Sequence, residues 1–266
     1  MESSDAQVLV VLPTLGDRLD SLRETLESVV VQTATIGLTL VVVAPVAATE
    51  ARTLALSFGA VLADDPRDGI SAAINCGLAE RTTEKFYAWV GDDDLFRPGG
   101  LASLAKLLEA DSGAVLAYGG CDYIDGEGRT IFVSNAGRLA RILLAWGPDL
   151  VPHPATMIRL DALASIGGFD ERLRFAMDLD AFLKLRSFGR FAWTRDSVAA
   201  FRWHPDSLTV ANRLDSSLES EGVKRRHLPA YLRPVSPLWQ YPVRWASDAA
   251  AKRVNSRARA LGTPRG

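Results

Sequence analysis

Apolar residues in the first ninety positions follow two alternating patterns. Short continuous apolar runs are typical of strands buried on both faces of a mostly parallel sheet, and apolar residues that recur every three or four positions predict helices with one apolar stripe. The runs lie at 8–12, 38–43 and 86–90. The helices are predicted at 19–30, 49–58 and 70–78. This alternation predicts right-handed crossovers and a doubly wound α/β sheet, with function at the carboxyl ends of the strands.

Beyond residue 90 the pattern is less regular but still predicts both kinds of element. Pro98-Gly99-Gly100 begins a further helix, and Asp125-Gly126-Glu127-Gly128 is typical of a hairpin turn. Further helices are predicted at 138–146, 161–166 and 178–187. Strands are predicted at 115–118, 130–133, 191–194 and 198–203. We expect one mixed α/β unit to about residue 212, followed by a tail that contains prolines.

The composition excludes several classes of protein. With 266 residues, 48% of them apolar, the chain is long enough for a large folded domain, which argues against disorder and against a minimal binding module. No run approaches the roughly 18 apolar residues that a membrane-spanning helix needs. Residues 1–7 carry Glu2 and Asp5 and do not resemble a signal peptide. Two cysteines exclude a disulfide framework and a four-thiolate zinc site. These features predict a cytoplasmic protein.

The net charge of −2 conceals an uneven distribution. From Lys224 onward there are ten Lys and Arg residues and one acid, so the remaining 20 basic and 31 acidic residues leave −11 on residues 1–223. An acidic body does not suit nucleic acid, because phosphates need basic groups to neutralise them. The basic tail suggests an anionic lipid surface or an acidic polymer as a partner.

Three adjacent carboxylates, Asp92, Asp93 and Asp94, directly follow the predicted strand at 86–90. Such clustering is unfavourable unless a cation or hydrogen-bond donors offset it. Carboxylate oxygens at a strand end suit Mg²⁺ or Mn²⁺, which in turn binds a diphosphate. The alternative is a solvated acidic turn that caps the helix beginning at Pro98.

Five segments, in this order and at these separations, resemble motifs of the inverting family 2 glycosyltransferases of the GT-A fold. Residues 10–14, Val-Val-Leu-Pro-Thr, resemble the first strand and turn of that family, and 68–77 its Gly-Ile-Ser-x-Ala-x-Asn-x-Gly helix. Residues 91–98 correspond to its Asp-x-Asp-Asp segment. Residues 167–171 and 177–180 resemble its Gly-Gly-Phe-Asp-Glu and Glu-Asp-x-Asp pair. The resemblance covers most of residues 8–212.

The resemblance implies a GT-A (Rossmann-like) α/β fold: a mixed, mostly parallel sheet flanked by helices, with a basic C-terminal helical tail. It implies a nucleotide-sugar half at 1–98, an acceptor half at 99–212 and the tail at 213–266. The implied activity is metal-dependent transfer, with inversion, of a sugar from a nucleoside diphosphate sugar, most simply a UDP-sugar, to a hydroxyl of a glycan or lipid-linked acceptor in the cell envelope. The implied donor contacts are Pro13, Thr14, Asp68, Asn75, Asp92 and Asp93.

Two departures from the family motifs affect the expected site. Gly91 stands where many members have the first Asp, so the resemblance makes Asp93 the direct ligand of Mn²⁺ or Mg²⁺, with Asp92 at the ribose and Asp94 in support. His204 is expected as a third ligand, as a neutral imidazole. Ala44 stands where the family uses an Asp on the base. Two alternatives are open: the base is contacted instead by Asp64, Asp65 or Asp68, or these residues are ordinary turn residues.

Asp178 is the expected catalytic base. It opens a predicted helix, where the helix dipole keeps a carboxylate ionised, and inverting transfer needs a base to take the proton of the acceptor hydroxyl. The alternative is an N-terminal cap, and Asp180 is the next candidate base. The resemblance places His153 beside the acceptor cleft, although a histidine between two prolines also suits a purely structural role.

The tail combines Trp239, Tyr241 and Trp245 with arginines. This composition is typical of a helix on an anionic membrane surface, but a helix packed on its own domain or in a homodimer fits equally. Two rival functions remain: a catalytically silent nucleotide-sugar binding module, suggested by Gly91 and Ala44, and a nucleotidyltransferase. The latter needs a glycine-rich, basic phosphate loop after the first strand, and 12–18 offers one glycine and Arg18.

Overall fold

The computed structural model describes residues 6–135, 137–148, 150–203 and 213–262, which form a nine-stranded mixed sheet flanked by helices. The strands are β1 (Val8–Pro13), β2 (Leu38–Ala44), β3 (Val61–Asp64), β4 (Phe86–Trp89), β5 (Leu95–Phe96), β6 (Ala114–Ile124), β7 (Thr130–Ser134), β8 (Thr156–Arg159) and β9 (Arg190–Arg202). The helices are α1 (Leu19–Gln32), α2 (Thr49–Ser57), α3 (Ile70–Ala79), α4 (Gly100–Ala110), α5 (Ala140–Leu143), α6 (Leu160–Ser165), α7 (Met177–Leu185), α8 (Arg213–His227) and α9 (Pro237–Gly262).

The strand order brings the amino-terminal strands together and joins them to the rest of the sheet through β8. The order is β3-β2-β1-β4-β8-β6-β9-β5, with β7 paired to β6. Strands β1 to β4 are parallel to their neighbours within this group, whereas β8 is antiparallel to β4 and to β6. Val11 of β1 lies level with Val41 of β2 and Trp89 of β4. The loops that follow β1 and β4 therefore leave the sheet at the same edge.

Side chains alternate along β1 between two hydrophobic clusters, one on each face of the sheet. Leu9 and Val11 belong to the cluster that includes α3 and α7, and Val8 and Val10 to the one that includes α1 and α4. Helix α3 lies very close to the sheet, because a Cβ atom at Gly77 would be 2.5 Å from Val11 Cγ1. Glycine at position 77 is therefore required for this contact.

The predicted fold class is confirmed, and β1, β2, β4 and helices α1, α2 and α3 occur where apolar runs and stripes predicted them. Two predictions were wrong in detail. The strands predicted at 191–194 and 198–203 are one strand, β9, because a register shift against β6 between Tyr118 and Gly120 accommodates the intervening polar residues. The helix predicted at 138–146 contains only α5, and turns follow it. Helix α8 and the short strands β5 and β8 were not predicted.

Part of the segment after residue 212 packs on the body of the protein. The backbone N–H groups of Phe175 and Ala176 each donate to Glu219 of α8 at 2.7 Å, directly before the first turn of α7. Lys224 is buried and donates to the carbonyl of Gly147 at 2.6 Å. Helix α9 contains Pro242, and its Trp239 ring lies 5.4 Å from that of Trp146. Within the described residues, we find no helix with the length and apolar character needed to span a membrane.

Candidate active site

The loops after β1 and β4 are joined by a short hydrogen bond. The Thr14 hydroxyl donates to Asp92 Oδ2 at 2.6 Å and accepts the backbone N–H of Gly16 at 3.0 Å. Burial raises the pKa of Asp92, and the hydrogen bond from Thr14 opposes that rise. The predicted residues Pro13, Thr14 and Asp92 thus lie together at the carboxyl edge, where Thr14 fixes the position of the Asp92 carboxylate.

Asp93 faces Arg18, a residue for which the sequence analysis predicted no role at this site. Arg18 Nη1 forms an ion pair with Asp93 Oδ2 and lies 3.8 Å from Asp92 Oδ1. Burial opposes the charge of Arg18, but the two carboxylates outweigh burial and raise its pKa. A cationic side chain is therefore already placed next to the carboxylates that were expected to hold a metal ion.

Asp94 points into the protein. It is 2% exposed, and its Oδ1 accepts the backbone N–H of Arg202 at 2.9 Å. Burial raises its pKa well above the ordinary value, with a further contribution from the neighbouring charge of Asp93. The main chain of Arg202 thus holds Asp94 inside the protein, and its supporting role at a metal ion stays a prediction.

Arg202 holds the acidic loop and was missed by the sequence analysis. Its guanidinium donates to the carbonyl of Asp93 at 2.9 Å, to that of Gly126 at 2.7 Å and to Glu24 Oε2 at 2.6 Å. The only signal in the sequence is an arginine at the end of an apolar strand, and nothing local reveals its three distant partners. The loop conformation depends on this buried side chain.

The carboxylates fit a divalent cation only together with a substrate. Mg²⁺ and similar ions are commonly bound through one or two carboxylates plus substrate phosphates, and Asp92 and Asp93 can supply that number. Across the described ranges there is no group of three or more His, Cys, Asp or Glu side chains that could hold a metal ion. His204, the predicted third ligand, lies outside the described residues. A Cβ atom at Gly91 would be 3.3 Å from Asp93 Oδ1, so the missing side chain leaves that carboxylate less crowded.

Asp178 and Asp180 lie in the same helical turn but differ in their surroundings. Asp178 is half-buried, and its Oδ1 accepts the backbone N–H of Leu179 at 2.7 Å. Asp180 is buried and bonded to His227 at 2.9 Å and to Lys184 at 2.8 Å. Burial opposes ionisation of Asp180, but these hydrogen bonds outweigh it and lower its pKa. Asp180 is already paired, so it is the weaker candidate for a base.

His153 lies in an aromatic cluster at the end of β4. Its ring stacks on Trp89 at 4.5 Å between centroids, and its Nε2 is 3.4 Å from the Tyr87 hydroxyl. Burial lowers its pKa to about 3, so the imidazole is neutral. Within the described residues, His153 Nδ1 and Trp89 Nε1 are buried without hydrogen-bond partners. Phe182 of α7 meets the His153 ring edge-on at 5.9 Å between centroids, so the helix that carries Asp178 packs against this cluster.

The buried neutral His153 predicts a pH-dependent stability. A histidine with a lowered pKa in the folded state contributes stability above about pH 6.5, its unfolded value, and this contribution is lost as the pH falls towards 3. Between pH 7 and pH 5 we expect the free energy of unfolding to fall by about 2 kcal/mol because of this residue. Urea unfolding of the wild type and of His153→Gln at several pH values measures this contribution, because the other titratable groups are the same in both proteins. Equal pH slopes in the two proteins contradict the prediction.

Two further residues predicted as donor contacts, Asn75 and Asp68, lie in different surroundings. The Asn75 amide donates to the carbonyl of Phe169 at 2.8 Å, and its Oδ1 accepts the Phe169 N–H at 3.0 Å. Its polar atoms thus hold the 167–171 segment onto α3, and its role as a donor contact stays a prediction. Asp68 is exposed at the edge of the sheet and keeps its carboxylate accessible. Asp64 pairs with Arg52 at 2.8 Å, and Asp65 accepts the N–H of Arg67 at 2.9 Å.

Comparison with known proteins supports one family. A sequence profile described as glycosyl transferase family 2 matches residues 9–166. No curated protein sequence matches the chain. The matched range includes β1, β4 and the three carboxylates but ends before Asp178.

Solved structures show the same fold at low sequence identity. S. aureus TarS 1-349 in complex with UDP-GlcNAc is 15% identical, with a TM-score of 0.63, over 83% of this chain and 66% of that chain. The mannosyltransferase PcManGT from Pyrobaculum calidifontis, in complex with GDP-Man and Mn²⁺, is 19% identical, with a TM-score of 0.63, over 92% of this chain and 75% of that chain. The chain thus spans just under two thirds of the TarS fragment.

Proposed function

Because the chain belongs to glycosyl transferase family 2, we propose that it transfers a sugar from a nucleoside diphosphate sugar to an acceptor hydroxyl with inversion. One observation carries this proposal. Helix α7, which carries Asp178 in its first turn, packs through Phe182 against the His153 ring at 5.9 Å, and that ring stacks on Trp89 of β4, the strand that leads into Asp92 and Asp93. This packing supports the proposal that a carboxylate suited to deprotonate an acceptor and a pair suited to hold a diphosphate serve one site.

Asp93 and Asp92 are proposed to hold the donor. With Mn²⁺ or Mg²⁺ bound, the cation stabilises the negative charge of the departing diphosphate. Asp93 is proposed as the direct metal ligand, and Thr14 fixes the Asp92 carboxylate, which is proposed to bind a ribose hydroxyl. Arg18, adjacent to both, is positioned to turn towards a phosphate oxygen when its own pairing with Asp93 is replaced.

Asp178 is proposed as the base. Its half-buried carboxylate lies in the first turn of α7, where the helix dipole favours the ionised form. As the acceptor oxygen attacks the anomeric carbon opposite the diphosphate, Asp178 takes the hydroxyl proton. The neutral His153 and the Trp89 ring form the neighbouring wall and do not compete for that proton.

The nucleotide base of the donor is proposed from the ligands of similar proteins, because this chain lacks the Asp that the family uses on the base. The neighbouring structures contain UDP-GlcNAc and GDP-Man, and Ala44 removes the carboxylate that the family uses on the base. Asp64, Asp65 and Asp68 lie at and after the end of β3, and among the described residues Asp64 and Asp65 have hydrogen-bond or ion-pair partners, whereas the Asp68 side chain is exposed. We propose a UDP-sugar, with Asp68 as its first contact to test.

A screen of nucleotide sugars tests the proposed function. Thermal shifts of the purified protein are measured with Mn²⁺ and a panel of UDP-, GDP- and other nucleotide sugars. A donor at 100 times its dissociation constant should stabilise the protein by about 2.7 kcal/mol. Donor hydrolysis with and without Mn²⁺ then separates an enzyme from a silent binding module, which binds the donor without cleaving it. No shift with any donor contradicts the proposal.

We also propose that α9 docks on an anionic membrane surface and so presents the enzyme, on the inner face of the membrane, to a lipid-linked or cell-envelope acceptor. One face of α9 carries Leu238, Tyr241 and Trp245, which are 77%, 57% and 76% exposed. Lys252 continues that face at helical spacing. Exposed rings beside cations are complementary to an anionic headgroup layer, whereas Trp239 on the opposite side packs against Trp146.

Substitution of exposed α9 residues should release the protein from vesicles. We expect Leu238→Ser/Trp245→Ser to bind phosphatidylglycerol vesicles about 100-fold less than the wild type, since each of the two large apolar side chains contributes about 1.5 kcal/mol or more when buried. Sedimentation with vesicles measures the binding, and an unchanged melting temperature excludes unfolding. Trp239→Phe, which keeps a packed ring, is the matched control. Wild-type vesicle binding by the double variant, or a concentration-dependent dimer that buries this face, contradicts the membrane proposal.

A further inference from the structure

A cavity lined by arginines lies away from the carboxylates, on the acceptor half of the sheet. It has a volume of about 380 Å³ and is lined by Asn135, Gly137, Arg138, Trp193 and Arg195. The loop that forms one wall is fixed by the Tyr118 hydroxyl, which donates to the carbonyl of Gly137 at 2.7 Å. A Cβ atom at Gly120 would be 3.0 Å from Asn135 Oδ1 and 3.2 Å from the carbonyl oxygen of Asp196, so β6 packs closely against this loop. The wall is therefore a built feature of the fold.

Arginines around this cavity have no acidic counterpart. Arg195 lies over the Trp193 ring at 6.0 Å, and Arg141 lies over the Phe191 ring at 5.8 Å. Among the residues that the structure describes, Arg138 and Arg195, which line the cavity, and the neighbouring Arg141 form no ion pair with a carboxylate. An anion would offset this concentration of positive charge.

The register of the sheet relates the cavity to the candidate active site. Trp193 is level with Tyr118, and Tyr118 with Thr156 of β8. Ala88 of β4 pairs with Met157, which puts Trp89 in the same row. Trp89 and Trp193 pack against the same hydrophobic cluster, so both lie on the face that carries α7. Three strand spacings separate them, roughly 14 Å.

We infer that this cavity, termed the arginine cavity, binds a phosphate group carried by the acceptor. The inference rests on the proposed function and specifies its acceptor as a phosphate-bearing glycan or lipid-linked chain. Arg138 and Arg195 bind the phosphate oxygens, since guanidinium groups match phosphate geometry. Trp193 packs against the chain that carries the phosphate. The reacting hydroxyl then lies roughly 14 Å further along the sheet, next to Asp178.

Titration with inorganic phosphate tests the cavity without any transfer reaction. By calorimetry at low ionic strength, we expect Arg138→Gln and Arg195→Gln each to weaken phosphate binding about 10-fold. Arg190→Gln is the matched control, because Arg190 lies on the same strand but already pairs with Asp111. Arg18→Gln identifies phosphate bound at the diphosphate site. Equal affinity in the wild type and in both cavity variants, or loss of binding only in Arg18→Gln, overturns the inference.

Transfer to paired acceptors tests the source of the phosphate. With the donor identified by the screen, matched oligosaccharides with and without a phosphate are compared. The cavity variants should raise KM about 10-fold for the phosphorylated acceptor, leave kcat unchanged, and leave the unphosphorylated acceptor unaffected. Equal effects on both acceptors overturn the inference. A cavity variant that loses binding to phosphatidylglycerol vesicles while KM is unchanged assigns the site to a lipid headgroup and also overturns it. Donor hydrolysis without acceptor reports on the proposed function separately.

Discussion

Asp178→Asn should lower the rate of sugar transfer by about 10²- to 10⁴-fold and leave donor affinity nearly unchanged, because a base acts on the acceptor proton and contacts no phosphate. Asparagine keeps the oxygen that accepts the Leu179 N–H, so the first turn of α7 keeps its local hydrogen bond. Initial rates with the donor found in the screen, together with calorimetric donor binding, measure the two effects.

Asp180→Asn is the informative control for this experiment. Its carboxylate pairs with His227 and Lys184, so its loss should lower the melting temperature and affect transfer mainly through stability. Wild-type transfer in Asp178→Asn combined with a large loss in a folded Asp180→Asn would reverse the two assignments.

Asp93→Asn should weaken Mn²⁺-dependent donor binding by about 10- to 100-fold or more, since even a group behind a ligand commonly affects metal affinity by that factor. Asp94→Asn should have a smaller effect, because Asp94 is buried and can still accept the Arg202 N–H as an amide. Calorimetry with and without Mn²⁺ separates the metal-dependent part of the affinity.

The ion pair with Arg18 gives this experiment a second readout. Asp93→Asn removes the carboxylate that pairs with Arg18. We therefore expect that the affinity of this variant for a nucleoside diphosphate falls when Mn²⁺ is present but does not fall in the absence of metal. Equal donor affinity in wild type and Asp93→Asn at saturating Mn²⁺ would contradict the assignment of Asp93, and a parallel loss without metal would indicate a misfolded loop.

The sequence predicts what local periodicity encodes. Apolar runs and stripes locate β1, β2, β4 and the helices between them, and the three carboxylates mark a strand end that the structure places at the edge of the sheet. These features need only near neighbours in the chain. The sequence predicts two strands in place of β9, because the polar residues 194–196 interrupt the apolar pattern. Only the partner strand β6 shows that strand pairing continues on both sides of these residues.

Side chains with distant partners account for most of what the sequence could not predict. Arg202 reaches Glu24 and Gly126, which lie far apart in the chain, so no local spacing reveals its role. Asn75 lies in a motif that suggested a contact with the sugar donor. In the structure its side-chain amide donates a hydrogen bond to the Phe169 carbonyl and accepts one from the Phe169 N–H. The motif identified the residue, whereas its partner depends on how α3 meets the 167–171 segment.

The hydrogen bonds from Phe175 and Ala176 to Glu219 have a consequence for how the protein can be divided. A fragment that ends at residue 212 keeps every recognisable motif, including Asp178, but leaves the amino-terminal N–H groups of α7 without the carboxylate of α8 that satisfies them. The smallest unit that can be expressed or exchanged in a chimera therefore extends beyond the region of sequence similarity. Residues with no motif of their own hold the helix that carries the proposed base.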